Sequence, residues 1–309
     1  MTNDVIEVRN LVKDYGSFRA VDDITFTVPK GKIVGFLGPN GAGKTTTIHI
    51  LLGITTATAG HISFFGKDFN HHKQHILARI NFASAFNTLQ GRISVWENLV
   101  VFSHIYEVKG YKKKITDLID YFEVSNMLNS LYHDLSAGQK TRVNLIKSLL
   151  NDPEILLMDE PTASLDPDIA DKTLTLIEQL KKDRNLTLLY TSHNMSEITR
   201  ICDEVIFLDH GKIVAHDTPL GLTKRIRSAQ LRLIFNDDKK ILEDYLTQEN
   251  LQFTFEDEHT VTIKTEEELI PKLIFSISKT GIWMTDIEVK KPTLEDVFLQ
   301  IARGDVHES

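Results

Sequence analysis

Lys44 and Thr45 close the run Gly38-Pro39-Asn40-Gly41-Ala42-Gly43-Lys44-Thr45, which sets glycines, one amine and one hydroxyl in the spacing G-x-x-x-x-G-K-[ST]. A tight glycine turn exposes successive backbone N–H groups, the donors that a polyphosphate requires. At this spacing Lys44 is expected to reach the β- and γ-phosphates of a nucleotide, and the Thr45 hydroxyl to bind Mg²⁺. Two elements must hold such a turn. The apolar run Lys32 to Leu37 reads as the strand entering it, and Thr46 to Leu52 as the helix leaving it. The start of that helix adds a partial positive charge behind the loop.

Asp159 and Glu160 end a second apolar run, Ile155-Leu156-Leu157-Met158. A buried parallel strand delivers both acids to its C-terminal edge, where ligands bind in open α/β sheets. Successive residues point to opposite faces, so the two acids are expected to do different jobs. Asp159 would support the Mg²⁺ shell opposite Thr45, while Glu160 would orient and deprotonate a water for in-line attack on the γ-phosphate. The bland alternative is a pair of strand-end acids solvating a turn at Pro161. A third group, Leu135-Ser136-Ala137-Gly138-Gln139, precedes a helix with Val143, Ile146 and Leu149 on one face. Ser136 and Gln139 have capping-box spacing, so a purely structural account is available for them. Its position matters more, because Ser136 lies 23 residues before Asp159.

Around these groups the pattern is that of an α/β core. Short β-like runs, Val5 to Val12 and Ile24 to Val28, precede the glycine loop, and Ile62 to Phe65 follows it. From about Ser94 to Leu150 apolar residues recur at helical spacing, after which strands alternate with helices as far as Leu208. Asp209-His210-Gly211-Lys212 reads as a hairpin turn. Beyond about Arg225 a β-α-β-β-α-β order appears, ferredoxin-like, with a helix predicted over Glu266 to Lys279, a strand over Ile282 to Val289 and a terminal helix over Thr293 to Ala302. No paired acid/base or ligand set lies in this part, which suits a recognition or regulatory appendage.

Composition bounds the partners. The 309 residues suffice for two domains, and 41% hydrophobic with 25% charged residues is ordinary for a globular protein. Lys and Arg number 35 against 43 Asp and Glu, a balance that gives no support for nucleic acid or anionic lipid as partner. No run approaches the roughly 18 uncharged apolar residues that a spanning helix needs, and the first residues lack signal-peptide character, so a cytoplasmic location is expected. The single cysteine, Cys202, reads as a buried thiol near a strand start. His71, His72 and His75 have polar neighbours and no fourth ligand at matching spacing, which favours a solvated helix start over a metal site.

With these motifs in this order, residues about 4 to 222 resemble the nucleotide-binding domain of ATP-binding-cassette (ABC) transporters. The resemblance implies a P-loop NTPase fold of the ABC ATPase type with a helical insertion at about 94–150, followed by a small α+β domain at 229–304. It implies ATP and Mg²⁺ as cofactors, with Glu160 and His193 catalytic and Thr45 and Asp159 on the metal. Nucleotide contacts carry over to Gly38, Pro39, Asn40, Gly41, Ala42, Gly43, Lys44, Thr45 and Thr46. Tyr15 would stack on adenine, and Ser136, Gly138 and Gln139 would face ATP held by a second subunit, homologous or identical. Asp166, in Ala163-Ser164-Leu165-Asp166, looks like part of the loop that bridges the two sites. Membrane permease subunits are implied as separate chains, placing this one peripherally on the inner face of the cell membrane. The ending Pro292-Thr293-Leu294-Glu295-Asp296-Val297-Phe298 is similar to that of daunorubicin-resistance-type ATPases, which suggests export.

Two positions depart from the family pattern. Ala137 replaces a glycine of the signature motif. Ala85 falls where the family carries a glutamine that touches Mg²⁺ and the attacking water, and its side chain can do neither. Ser84, Asn87 and Gln90 are the polar residues nearby. The alternatives are a soluble ABC ATPase acting on DNA or ribosomes, and a weakly hydrolysing regulatory subunit of a heterodimeric transporter.

Overall fold

The computed structural model describes residues 3–85, 88–163, 165–226 and 228–303. The chain divides into two compact units, Met1–Pro219 and Leu220–Ser309. The first opens with an antiparallel pair, β1 (Asp4–Tyr15) and β2 (Phe18–Pro29). There follow β3 (Ile33–Leu37), α1 (Lys44–Leu51), β4 (Ala59–Phe64), β5 (Lys67–Asp68), α2 (Phe69–Leu77) and β6 (Ile80–Ser84). Three helices, α3 (Val95–Ile105), α4 (Tyr111–Tyr121) and α5 (Ala137–Ser148), separate β6 from β7 (Ile155–Asp159). The unit continues with α6 (Pro167–Arg184), β8 (Thr187–Thr191), α7 (Met195–Ile201), β9 (Glu204–Asp209) and β10 (Lys212–Asp217).

The central sheet has the order β10-β9-β3-β8-β7-β6, parallel except for β10. Every residue of β3, β7 and β8 is buried, which is why these strands read as continuous apolar runs rather than alternating ones. A second, antiparallel sheet, β2-β1-β4-β5, packs on it through a shared core in which Phe26 and Phe36 meet edge-on at 5.0 Å. The register decides the site. Asp159 pairs with Thr191 on one side and Ser84 on the other, while Phe36 pairs with Thr191, so the carboxyl ends of four strands come out on one edge.

Local chemistry terminates the elements. Both α3 and α5 start on complete capping boxes, Ser94 with Glu97 and Ser136 with Gln139. Helix α6 starts with Asp166 and Pro167 and stops at Asn185, a left-handed residue after Lys181, Lys182 and Arg184. The expected turn between β9 and β10 has His210 at φ 45° and Gly211 at φ 81°. Cys202 is buried where α7 ends, and a Cβ added to Gly35 on β3 would lie 2.7 Å from its sulfur. His71 and His72 are exposed at the start of α2, where the Asp68 carboxylate accepts from the His71 backbone N–H at 2.9 Å.

After the short α8 (Pro219–Thr223), the second unit comprises β11 (Ser228–Phe235), α9 (Lys239–Gln248), β12 (Gln252–Phe255), β13 (Thr260–Glu266), α10 (Ile270–Ser278), β14 (Met284–Lys290) and α11 (Leu294–Arg303). Its sheet, β12-β13-β11-β14, is antiparallel throughout and has the ferredoxin-like order. Leu231, Leu233, Val261 and Ile263 of the sheet pack with Leu242, Leu246, Leu273 and Ile277 of the helices. Two expectations shift. Glu266 is the last residue of β13, paired with Ser228, so the predicted helix begins one residue later, as a 3-10 turn over Glu267–Leu269 that runs into α10 at Ile270, with Pro271 in its first turn. Ile282 is buried ahead of β14 rather than within it.

Candidate nucleotide-binding site

The loop from Gly38 to Gly43 owes its shape to glycines at φ 151°, 83° and 102° (Gly38, Gly41 and Gly43). At Gly38 and Gly43 the neighbours also leave no room for a side chain, whereas Gly41 faces open space. A Cβ on Gly38 would meet the Leu208 carbonyl oxygen at 2.1 Å, and one on Gly43 the Ala20 carbonyl oxygen at 2.6 Å. Gly43 caps α1 without a side-chain hydrogen bond, and the first turn holds no acid, so no side-chain cap or acid of that turn occupies the helix start where an anion is expected. Asn40 and Gly41 are exposed at the tip, while Ala42 is buried and Thr46 half-buried.

Lys44, 6% exposed, donates to the carbonyl oxygens of Gly38 at 2.6 Å and Pro39 at 3.0 Å. Burial lowers its pKa, opposed by the charges of Glu160 and Asp159. The loop amine thus lies in the field of both acids. Thr45 Oγ1 donates to Asp159 Oδ2 at 3.2 Å, which brings the two expected metal ligands face to face. A carboxylate and a hydroxyl are hard oxygen donors and fit Mg²⁺, which keeps several of its own waters.

Glu160 follows directly but is turned aside by a left-handed backbone, φ 48°. Its N–H is held by the Thr191 carbonyl at 3.1 Å and hydroxyl at 3.0 Å. Its carboxylate pairs with His193 Nδ1 at 2.8 Å. Thr191 was not anticipated as a site residue. Its hydroxyl also donates to Asp159 Oδ1 at 2.6 Å, so one side chain ties both acids. The available signal was its place at the end of an apolar strand, two residues before His193.

The remaining expected residues are engaged locally, apart from Asp166, whose neighbours Leu165 and Pro167 line the same cavity as Glu160 and His193. Ser136 Oγ accepts from Gln139 N at 3.4 Å and Gln139 Oε1 from Ser136 N at 2.8 Å, bonds made within the first turn of α5. Gly138 has a packing reason as well, since a Cβ there would lie 2.5 Å from Ile169 Cγ2 on α6. Tyr15 is 49% exposed with the Lys13 ammonium 4.7 Å above its ring. Asp166 is exposed, and its carbonyl accepts from Ile169 and Ala170. Ala85 occupies the turn just after β6, beside the strand pair Ser84–Asp159. Gln90 is engaged locally: its N–H donates to Asn98 Oδ1 at 2.9 Å, and its side chain accepts from Arg92 N at 3.5 Å. Asn87 and Ser164 lie outside the described residues.

Comparison with known proteins bears on this geometry. Residues 21–163 match the family of the ABC transporter. The bacitracin transport ATP-binding protein of Bacillus licheniformis is 31% identical over 303 residues, spanning 97% of this chain and 98% of that protein. The chain belongs to the ABC transporter family. It is an ABC ATP-binding subunit, and members of this family hydrolyse ATP. The Nod factor export ATP-binding protein I of Burkholderia orbicola (strain AU 1054) is 33% identical over 244 residues, 78% of this chain and 80% of that one. A solved ATP-binding subunit of an ABC transporter superposes with a TM-score of 0.65 at 25% identity, covering 72% of this ABC subunit and 92% of its own chain. Among the described residues no helix is long and apolar enough to cross a membrane.

Proposed function

We propose that this ABC subunit powers export through separate membrane-spanning permease chains, hydrolysing ATP at the edge formed by β3, β7 and β8. The observation that carries the reading is the placement of two pairs, Thr45–Asp159 and Glu160–His193, around the buried Lys44. Lys44 and the loop N–H groups bind the β- and γ-phosphates. Thr45 and Asp159 would hold Mg²⁺, which when bound would supply neutralisation of phosphate charge. Glu160 takes a proton from water while the water oxygen bonds to the γ-phosphorus and the bond from that phosphorus to the ADP oxygen breaks. His193 orients Glu160 and reaches toward the γ-phosphate.

Ser136, Gly138 and Gln139 complete the site of a second ATP-binding subunit, with Tyr15 against adenine and Asp166 at the junction. The outward N-terminus of α5 supplies the anion-binding dipole for that role. Export is supported by relatives named for Nod factor export and bacitracin transport, and a place at the inner face of the membrane follows from pairing with permease chains. Glu160→Gln should keep ATP binding and lower turnover by at least about a hundredfold. Full steady-state turnover in that variant would remove Glu160 from the role of base.

Ala85 favours a second reading, a weakly hydrolysing partner in a heterodimer. It places no hydrogen-bonding side chain beside Asp159. On that reading Ala85→Gln should raise the ATPase rate of the purified protein severalfold, and fast wild-type turnover would dispose of it.

A further inference from the structure

Glu197, on α7, is only 6% exposed, yet no cation partners it among the described residues. Arg200 on the same helix is committed elsewhere, to Asp171 at 2.6 Å and Glu178 at 2.9 Å. A buried carboxylate persists only when its oxygens are satisfied. Here one oxygen, Oε2, accepts from three hydroxyls, Thr162 Oγ1 at 2.8 Å, Tyr190 OH at 2.9 Å and Ser192 Oγ at 2.9 Å. The other accepts from Asn194 Nδ2 at 3.4 Å.

The origin of the donors is informative. Thr162 lies two residues after Glu160, and Ser192 immediately precedes His193. One carboxylate therefore ties the loop leaving β7 to the loop leaving β8, the two loops whose side chains meet at 2.8 Å in the Glu160–His193 pair. Tyr190 fixes the same oxygen from within the sheet, and burial together with Glu197 pushes its phenol pKa well up, so it remains a donor. Glu197, Thr162, Ser192, Glu160 and His193 also line one cavity of about 470 Å³.

We propose that Glu197 is a positioning residue for hydrolysis, holding the Glu160 and His193 loops in register. This rests on the catalytic reading of Glu160 and His193. Glu197→Gln retains the size but replaces one oxygen by an amide that cannot accept. In the full chain it should lower kcat by about tenfold or more while the KM for ATP moves less than about threefold, with the melting temperature little changed. In a His193→Ala background the same substitution should cost less than about twofold more, because both act through one pair. Ser192→Ala and Thr162→Val test the same carboxylate should Glu197→Gln fail to fold, each lowering kcat by about threefold.

A kcat for Glu197→Gln within twofold of wild type, or undiminished loss in the His193→Ala background, overturns the proposal. So does full turnover in both hydroxyl variants. Glu160→Gln and His193→Ala measured in the same series separate the two failures. If these lose turnover and Glu197→Gln does not, the positioning role alone falls. If they retain it, the catalytic reading falls and takes the proposal with it.

Discussion

Thr191 concentrates the chemistry of this ABC subunit more than any residue that its motifs single out. Its hydroxyl donates to Asp159 at 2.6 Å and accepts from the Glu160 N–H at 3.0 Å. It orients a carboxylate expected on Mg²⁺, a role in which substitution commonly costs ten- to a hundredfold in metal affinity. Thr191→Val preserves shape and should raise the Mg²⁺ concentration for half-maximal ATPase activity by about tenfold; an unchanged Mg²⁺ titration would show Asp159 to be oriented otherwise. Lys44→Ala removes the buried amine from between the loop carbonyls and the two acids. It should weaken ATP binding by about ten- to a hundredfold, as charged hydrogen bonds contribute roughly 1.5–3 kcal/mol, and calorimetry would read this directly.

At the scale of elements, the contact between α5 and α6 turns a signature residue into a packing one. A methyl on Gly138 meets Ile169 at 2.5 Å, so Gly138→Ala should destabilise by about 1–3 kcal/mol, and Ile169→Ala in the same chain should relieve much of the loss in thermal melting. Helix α5 also carries Lys147, whose pKa burial lowers from 10.5 to about 8, with the rings of Phe102 and Tyr106 at 5.4 and 5.8 Å. The unfolded chain holds that proton more tightly, so the penalty is full below about pH 8 and fades as pH rises toward 10.5. Chemical denaturation of Lys147→Met against wild type should show a difference that shrinks across this window, by up to about 3 kcal/mol.

These contacts also mark how far the sequence was legible. Strands β3, β7 and β8 were readable because burial on both faces writes uninterrupted apolar runs, and the caps at Ser94 and Ser136 are spelled within four residues. Gly138 against Ile169, and the three hydroxyls on Glu197, join residues distant in the chain and leave no local period. Of the three acids read as a helix start, Glu267 and Glu268 do open the helical segment, whereas Glu266 is held in the strand by a ladder to Ser228 that leaves no local signal.

For the whole molecule, the apolar cluster around Phe26 and Phe36 in the first compact unit and that around Leu231 and Ile263 in the second share no residue, which predicts two unfolding transitions. ATP with Mg²⁺ at a hundred times its Kd stabilises the unit that binds it by about 2.7 kcal/mol. Calorimetry should therefore show the transition of Met1–Pro219 moving up by several degrees while that of Leu220–Ser309 stays in place. A single transition that shifts as one would mean the units unfold together. Cys202 offers a finer view of the first unit. Because Cys202 is buried with its sulfur close to Gly35 of β3, labelling by a thiol reagent is expected to require local opening where α7 ends against that strand. The only cysteine of the chain is thus a native clock for that motion. Its labelling rate counts the openings of the helix that bears Glu197, and the slowing caused by nucleotide measures how firmly binding closes it.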